Sequence, residues 1–185
     1  MISDADIHTA LTRALNSLIA RDGWLLQQDL SEQSISHRLA CYLDNSFEDY
    51  EVDCEYNGDV NRENDKKAIS ILKDRLQQFR LLRQHEMDDI ESQLTTRTVF
   101  PDIIIHKRGT NEYNLCIVEI KKTSSRVPFD YDAIKLSAYT GSDFGNSLKY
   151  QLGAFVSIKT GDANLSYEIK YFKDGHEIDS IAKNS

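Results

Sequence analysis

The chain has 185 residues, of which 40% are hydrophobic and 28% are charged, and it carries a formal net charge of −8 at pH 7. This length suits one domain with a sizeable core, and the composition excludes a disordered or membrane-spanning chain. The negative charge disfavours a protein that coats nucleic acid through an overall positive field. Cys41, Cys54 and Cys116 lack CxxC spacing, so we expect no disulfide framework or zinc knuckle. The acidic N-terminus has no signal pattern, and we expect a cytoplasmic protein without a membrane partner.

Hydrophobic spacing predicts two helices and a strand at the start of the chain. Apolar residues at helical intervals indicate helices at 4–20 and 31–47, and Ser31 suits the N-cap of the second. Residues 50–56 alternate between apolar and charged side chains, as a strand does. The polar stretch 57–65 that follows is typical of a loop.

The segment 64–94 is predicted to be one long helix, or two helices with a break near Gln84. Such a helix packs across its own domain, and its length also leaves room for a contact in a homodimer or a larger complex. The helical interpretation rests on the spacing of eight apolar residues: Ile69, Leu72, Leu76, Phe79, Leu82, Met87, Ile90 and Leu94.

Strand patterns dominate the second half of the chain. Runs at 98–106 and 115–122 flank a Lys-Arg-Gly turn and predict a hairpin. A helix at 130–140 and strands at 151–159 and 166–174 follow. With eight glycines, two prolines and no repeat, no flexible linker divides the chain. We therefore expect a single α/β domain over residues 1–185.

Three charged residues interrupt the two apolar runs of this hairpin. Asp102 precedes a run of isoleucines, and Glu119 and Lys121 lie within the next apolar run. A carboxylate in an apolar strand costs several kcal/mol, of the order known for buried ions, unless it is paired or binds a metal. Because side chains alternate along a strand, Glu119 and Lys121 share one face. Two carboxylates with an adjacent ammonium suit Mg²⁺-assisted hydrolysis of a phosphodiester.

This pattern resembles the PD-(D/E)XK nuclease superfamily, which has the restriction-endonuclease-like fold. The matching residues are Pro101-Asp102 and, after a gap of 16 residues, Glu119-Ile120-Lys121. The resemblance covers most of 31–160, with 64–94 as a helical insertion. It implies a central mixed sheet of at least four strands flanked by helices. It also implies Mg²⁺, with Mn²⁺ as a substitute, bound by Asp102, Glu119 and the Ile120 carbonyl, and a water activated by Lys121.

Further site residues are suggested by the same resemblance. Many members add a glutamate from the first core helix, and Glu32 is the candidate here because it lies on the apolar stripe of 31–47. Glu32 could instead only complement the helix N-terminus. Lys135 could approach substrate phosphates, although the spacing favours a solvated helix lysine. Tyr139 is as well explained by the core, and His37 is expected to be exposed.

Basic residues are concentrated between Arg97 and Arg126. This segment holds six basic and three acidic residues and thus carries +3, against −11 for the rest of the chain. The count is consistent with a basic patch and equally with a solvated strand edge. The loop that contains Ser124, Ser125 and Arg126 could contact nucleic acid.

Two functions are consistent with the sequence. The first is a metal-dependent endonuclease or exonuclease that hydrolyses DNA, or else RNA. The second is a catalytically inactive interaction or regulatory subunit in which Asp102, Glu119 and Lys121 form a buried ion-pair network. Metal binding by these carboxylates distinguishes the two.

Overall fold

Eight strands and five α-helices make up the regular structure in the described part of the chain. The computed structural model describes residues 2–60, 66–125, 129–179 and 181. The elements are α1 (Asp4–Gln27), α2 (Glu32–Asp44), β1 (Glu51–Cys54), β2 (Ala68–Leu72), α3 (Lys73–Gln78), α4 (Gln84–Asp88), β3 (Leu94–Thr98), β4 (Ile103–His106), β5 (Cys116–Lys122), α5 (Asp130–Thr140), β6 (Leu152–Ile158), β7 (Tyr167–Lys173) and β8 (His176–Ile178), with a 3₁₀ turn at Asp143–Gly145.

Six of these strands form a mixed sheet in the order β1-β4-β5-β6-β7-β8. The strands β5 and β6 are parallel, and every other neighbouring pair is antiparallel. The parallel pair is joined through α5, as a parallel connection requires. The predicted hairpin is confirmed, because β4 and β5 pair with Ile103 opposite Val118 and Ile105 opposite Cys116. The α/β class and the sheet of at least four strands are confirmed as well.

The helices α1 and α2 cover one face of the sheet. Ser3 caps α1 and forms a capping box with Asp6. The predicted end of this helix near residue 20 is wrong. The helix α1 is only kinked at Asp22 and continues to Gln27, and Leu26 in its last turn is fully buried. The start of α2 agrees with the prediction, since Ser31 accepts a hydrogen bond from the Ser34 amide. Of the helices that the structure describes, none combines the length and the apolar character needed to cross a bilayer.

The prediction of one long helix over 64–94 is wrong, and of the alternative with two helices only two short ones are present, α3 and α4, with α4 beginning at Gln84. This region contributes to the unit formed by β2, α3, α4 and β3, hereafter the β2–β3 unit (residues 68–98). Ile69 and Ile71 alternate with the less buried Ser70, which is the period of a strand, and β2 pairs with β3 in a separate two-stranded sheet. The apolar residues that suggested one helical stripe are thus divided among a strand, two short helices and loops.

A buried ion pair stabilises the β2–β3 unit. Glu86 on α4 accepts two hydrogen bonds from the Arg97 guanidinium on β3, at 2.7 Å from Nε and 2.5 Å from Nη2. It also accepts one from Thr95 Oγ1 at 2.9 Å. Both charged side chains are at most 5% exposed. The unit packs with α5 on the face of the main sheet opposite to α1 and α2, through Ile69, Ile71 and Leu76.

The predicted strand 98–106 is divided between the two sheets. β3 ends at Thr98 and β4 begins at Ile103. Pro101 lacks a backbone N–H for a strand ladder and lies at this crossing. The chain therefore enters the main sheet immediately after Asp102.

Candidate active site

The motif residues lie where β4 and β5 face α5. Along β5, Cys116, Val118 and Ile120 pack toward α1 and α2, whereas Ile117 packs toward α5. Glu119 and Lys121 have the same alternation as Ile117 and contact side chains of α5. Asp102, Glu119 and Lys121 are thus brought to one region between the sheet and α5.

Asp102 is tied directly to β5. Its Oδ2 accepts a hydrogen bond of 2.7 Å from the backbone N–H of Ile120. Burial raises the pKa of Asp102 to about 6, although the Ile120 hydrogen bond acts in the opposite direction. The Ile120 backbone, suggested as a ligand through its carbonyl, therefore adjoins the Asp102 carboxylate.

Glu119 is the most deeply buried carboxylate of the site. It is 3% exposed, and its Oε2 lies 2.7 Å from Lys135 Nζ. Its Oε1 is buried and has no hydrogen-bond partner among the described residues. Burial raises the pKa of Glu119 to about 8, and the Lys135 ammonium only partly offsets this effect. The carboxylate thus has one paired and one unpaired oxygen.

Lys135 lies inside the site, and its interpretation as a solvated helix lysine is wrong. Its side chain is 12% exposed and pairs with Glu119 and, at 2.9 Å, with Asp132 one turn earlier on α5. Burial by itself lowers the pKa of Lys135, but the two carboxylates more than reverse this and raise it. The apolar stripe of α5 did not reveal this position because Lys135 faces a buried charge rather than solvent.

Glu32 reaches the site from the first turn of α2. Its Oε1 accepts a hydrogen bond of 2.9 Å from the Lys122 backbone N–H, and its Oε2 lies 4.0 Å from Lys121 Nζ. The side chain is 31% exposed. Its contacts with β5 go beyond the compensation of the helix N-terminus that was the competing explanation.

Asp132 is a site residue that the sequence analysis missed. It is 5% exposed, and its Oδ2 lies 3.2 Å from Lys121 Nζ while Oδ1 faces Lys135. The signal was its position three residues before Lys135, which places both on one side of a helix. The result is a continuous series of alternating charges, in the order Glu32, Lys121, Asp132, Lys135 and Glu119.

The charges of this cluster do not balance. With every group ionised, two lysines oppose four carboxylates, so two negative charges remain. One divalent cation would neutralise the set, which consists of Glu32, Asp102, Glu119, Asp132, Lys121 and Lys135.

A hard cation fits this donor set chemically. Mg²⁺ prefers carboxylate and carbonyl oxygens and keeps several waters. Asp102 and the unpaired Oε1 of Glu119 supply such donors. Within the described ranges, no three His, Cys, Asp or Glu side chains are arranged to hold a metal by themselves. Two protein carboxylates completed by waters and substrate phosphate are a common form of a magnesium site.

The other residues that the sequence singled out differ in position. Tyr139, for which core and site were both open, is fully buried and interacts electrostatically with Glu119, whereas His37 is exposed, as expected. Lys122 points away from Lys121 and pairs with Asp29 at 3.1 Å. Ser124 donates to the same carboxylate at 2.9 Å, whereas Arg126 lies outside the described residues.

The segment 97–126 forms no free basic patch among its described residues. Four of its basic side chains form ion pairs: Arg97 with Glu86, Arg108 with Asp53, Lys121 with Asp132, and Lys122 with Asp29. A fifth, Lys107, lies over the aromatic rings of Tyr50 and Tyr113.

The comparisons with known proteins give no relative for this chain. No protein-family model matches it, and no curated protein or solved structure has detectable similarity to it. The assignment of a function therefore rests on the motif residues and on the geometry that surrounds them.

Proposed function

We propose that the chain is a Mg²⁺-dependent nuclease of the PD-(D/E)XK type, with a restriction-endonuclease-like core, that hydrolyses phosphodiester bonds of DNA or RNA. The observation that carries the proposal is the buried Glu119 carboxylate, whose Oε1 makes no hydrogen bond in the described structure although Asp102, Asp132 and Lys135 lie around it. A protein rarely leaves a buried carboxylate oxygen unsatisfied, and a bound cation would satisfy it.

The chemistry assigns separate tasks to the residues of the cluster. Asp102, Glu119 and the Ile120 carbonyl would hold Mg²⁺, and Glu32 would contribute through a water. The bound cation would polarise the phosphoryl oxygen and acidify a water. Lys121 would orient that water and stabilise the charge that develops on phosphate. The water oxygen forms a bond to phosphorus and releases a proton to solvent, the bond to the leaving oxygen breaks, and the leaving oxygen takes up a proton from solvent.

Lys135 has a double task in this proposal. Without a cation its ammonium lies 2.7 Å from Glu119 Oε2 and partly offsets the effect of burial on that carboxyl group. Once a cation is bound beside Glu119, the ammonium of Lys135 becomes available to a substrate phosphate.

The proposed partner of the chain is a nucleic acid, and we propose DNA before RNA. The net charge of −8 opposes a polyanionic substrate, so non-specific binding of nucleic acid by the isolated chain should be weak. A dimer through a helix at 64–94 is not proposed, because that helix is replaced by the β2–β3 unit.

The alternating charges also support a second function. Each lysine of the cluster already lies beside carboxylates, as in a structural ion-pair network. In that case the chain is an inactive interaction or regulatory subunit, and its carboxylates bind no cation.

Calorimetric titration with Mn²⁺ separates the two functions. The titration compares the wild type with Asp102→Asn, which keeps an oxygen to accept from Ile120 but lacks the charge. Asp22→Asn is the matched control, because Asp22 is a half-buried carboxylate that pairs with Arg38 outside the site. Cleavage of single- and double-stranded DNA and RNA is measured in parallel at low salt.

The nuclease proposal predicts Mn²⁺ binding and cleavage in the wild type and in Asp22→Asn, and the loss of both in Asp102→Asn. A wild type that binds no Mn²⁺ and cleaves none of the substrates contradicts the proposal. The inactive interaction subunit would then be the better description of the chain.

A further inference from the structure

One carboxylate contacts both lysines of the candidate site. Asp132 lies in the first turn of α5 and is 5% exposed. Its Oδ1 is 2.9 Å from Lys135 Nζ, and its Oδ2 is 3.2 Å from Lys121 Nζ. The two oxygens of a single side chain thus bridge an ammonium group from β5 and one from α5.

We propose that Asp132 is a positioning residue that holds the Lys121 and Lys135 ammonium groups in place for the reaction. The effect of Asp132 on turnover rests on the proposed nuclease function. The restraint that Asp132 places on the two lysines is independent of that function. Asp132 contacts the two lysines and would act on the reaction through them.

A lysine in this position needs such a restraint. Its side chain is a flexible stem with a single charged end, and ordering that stem costs conformational entropy. Glu32, the other carboxylate near Lys121, is 4.0 Å away and 31% exposed, so its hold is weaker. The contact with Asp132 is closer and more buried, and it is an ion pair rather than a hydrogen bond, since Oδ2 has no hydrogen-bond partner among the described residues. It is therefore the principal electrostatic restraint on the position of the Lys121 ammonium.

Compensation of the helix dipole does not account for Asp132. Asp130 belongs to the same first turn and carries the same charge. Asp130 has no ion pair or side-chain hydrogen bond within the described residues, and it is less buried than Asp132. If only the helix terminus mattered, the two aspartates would be equivalent.

The experiment compares Asp132→Asn with Asp130→Asn as its matched control. Lysines are acetylated under competitive conditions and quantified by mass spectrometry, with Lys170, whose side chain is 48% exposed, as the internal reference. We expect the reactivity of Lys121 and Lys135 to rise several-fold in Asp132→Asn and to stay at the wild-type level in Asp130→Asn. Equal reactivity of these lysines in both variants overturns the proposal.

Kinetics test the consequence for the reaction. Removal of an outer residue that orients a catalytic group typically costs about 10- to 100-fold. We expect a fall of that size in kcat for Asp132→Asn, larger than the accompanying changes in KM and in Mn²⁺ affinity. In a Lys121→Ala background the same substitution should cause little further loss, since residues that act as a unit are not additive.

A merely structural role would give a different result. In that case Asp132→Asn would lower the stability of the fold and leave kcat per folded molecule unchanged. This result would overturn the proposal. If Asp132→Asn does not fold, Asp132→Glu keeps the charge but displaces the ammonium groups, and the same loss of kcat is expected. If the wild type neither binds Mn²⁺ nor cleaves nucleic acid, the nuclease function fails, and the acetylation result still decides whether Asp132 restrains the two lysines.

Discussion

Lys121 and Lys122 are consecutive in sequence, yet the carboxylates closest to their ammonium groups lie on opposite sides of the main sheet. Lys121 lies 3.2 Å from Asp132 on α5, and Lys122 lies 3.1 Å from Asp29 at the end of α1. The alternation of side chains along β5 separates them. Two adjacent residues of the same type therefore provide an internal test of the site.

The first prediction compares alanine substitutions of these two lysines. Lys121→Ala should reduce cleavage by at least about 100-fold, the size of a lost acid–base or electrostatic contribution, while Mn²⁺ binding is retained. Lys122→Ala should retain cleavage and lose only a little stability. Cleavage kinetics and calorimetry on both variants provide the measurement. Equal losses of cleavage in both variants would show that Lys121 has no special role.

The second prediction concerns stability against pH without added metal. The pKa of Glu119 is about 8 in the folded protein and near 4.5 in the unfolded chain. Between these values the folded state keeps a proton that the unfolded state has released, so the free energy of unfolding falls as pH rises. The effect is cleanest from pH 6.5 to 8, because burial lowers the pKa of His106 from 6.5 and that of Lys67 to about 8.

Urea denaturation at several pH values checks this expectation. Glu119→Gln has no ionisable group at this position, so its stability should be nearly constant over the same range. A wild type whose stability is as flat as that of Glu119→Gln would mean that Glu119 is ionised throughout. Saturating Mg²⁺ should also diminish the slope, because a bound cation stabilises the ionised carboxylate.

The third prediction uses Lys135 to locate the cation. Lys135→Ala leaves Glu119 and Asp132 without their shared ammonium, and loss of one partner of a buried pair costs about 3–5 kcal/mol. Bound Mn²⁺ should replace part of the missing charge, so it should raise the Tm of Lys135→Ala more than that of the wild type.

The matched control for this measurement is Lys170→Ala, which removes an exposed lysine paired with Glu177. Its Tm should respond to Mn²⁺ as the wild type does. Should Lys135→Ala and Lys170→Ala show the same Mn²⁺ response, the cation does not bind beside Glu119.

The fourth prediction tests the β2–β3 unit. Glu86→Ala leaves the buried Arg97 guanidinium without its carboxylate and removes the acceptor of Thr95. We expect a loss of about 3–5 kcal/mol in the free energy of unfolding. Glu91→Ala, which alters an exposed residue of the same region, should change stability by less than about 0.5 kcal/mol. Urea denaturation that gives equal midpoints for the two variants would contradict the buried pair.

Local patterns in the sequence predicted the elements whose partners are near in the chain. The β4–β5 hairpin is predictable because its strands are close in sequence, with only residues 107–115 between them. The same alternation predicted that Glu119 and Lys121 share a face. A carboxylate in a run of isoleucines also identified Asp102, because such a charge requires a partner.

The sequence failed where one pattern suits two structures. Ile69, Leu72 and Leu76 have helical spacing, but Ile69 and Ile71 have strand spacing, and the pairing of β2 with the distant β3 decides between them. Likewise, helical spacing relates Asp132 to Lys135 but not to Lys121 on β5. The sequence by itself determined that Asp102, Glu119 and Lys121 interrupt apolar strands, since hydrophobic context and charge are local properties, but it did not show that Asp132 and Lys135 are buried as well. Only the tertiary structure decided which of them meet, because the contacts of Asp132 and Lys135 with β5 depend on how α5 packs against the sheet.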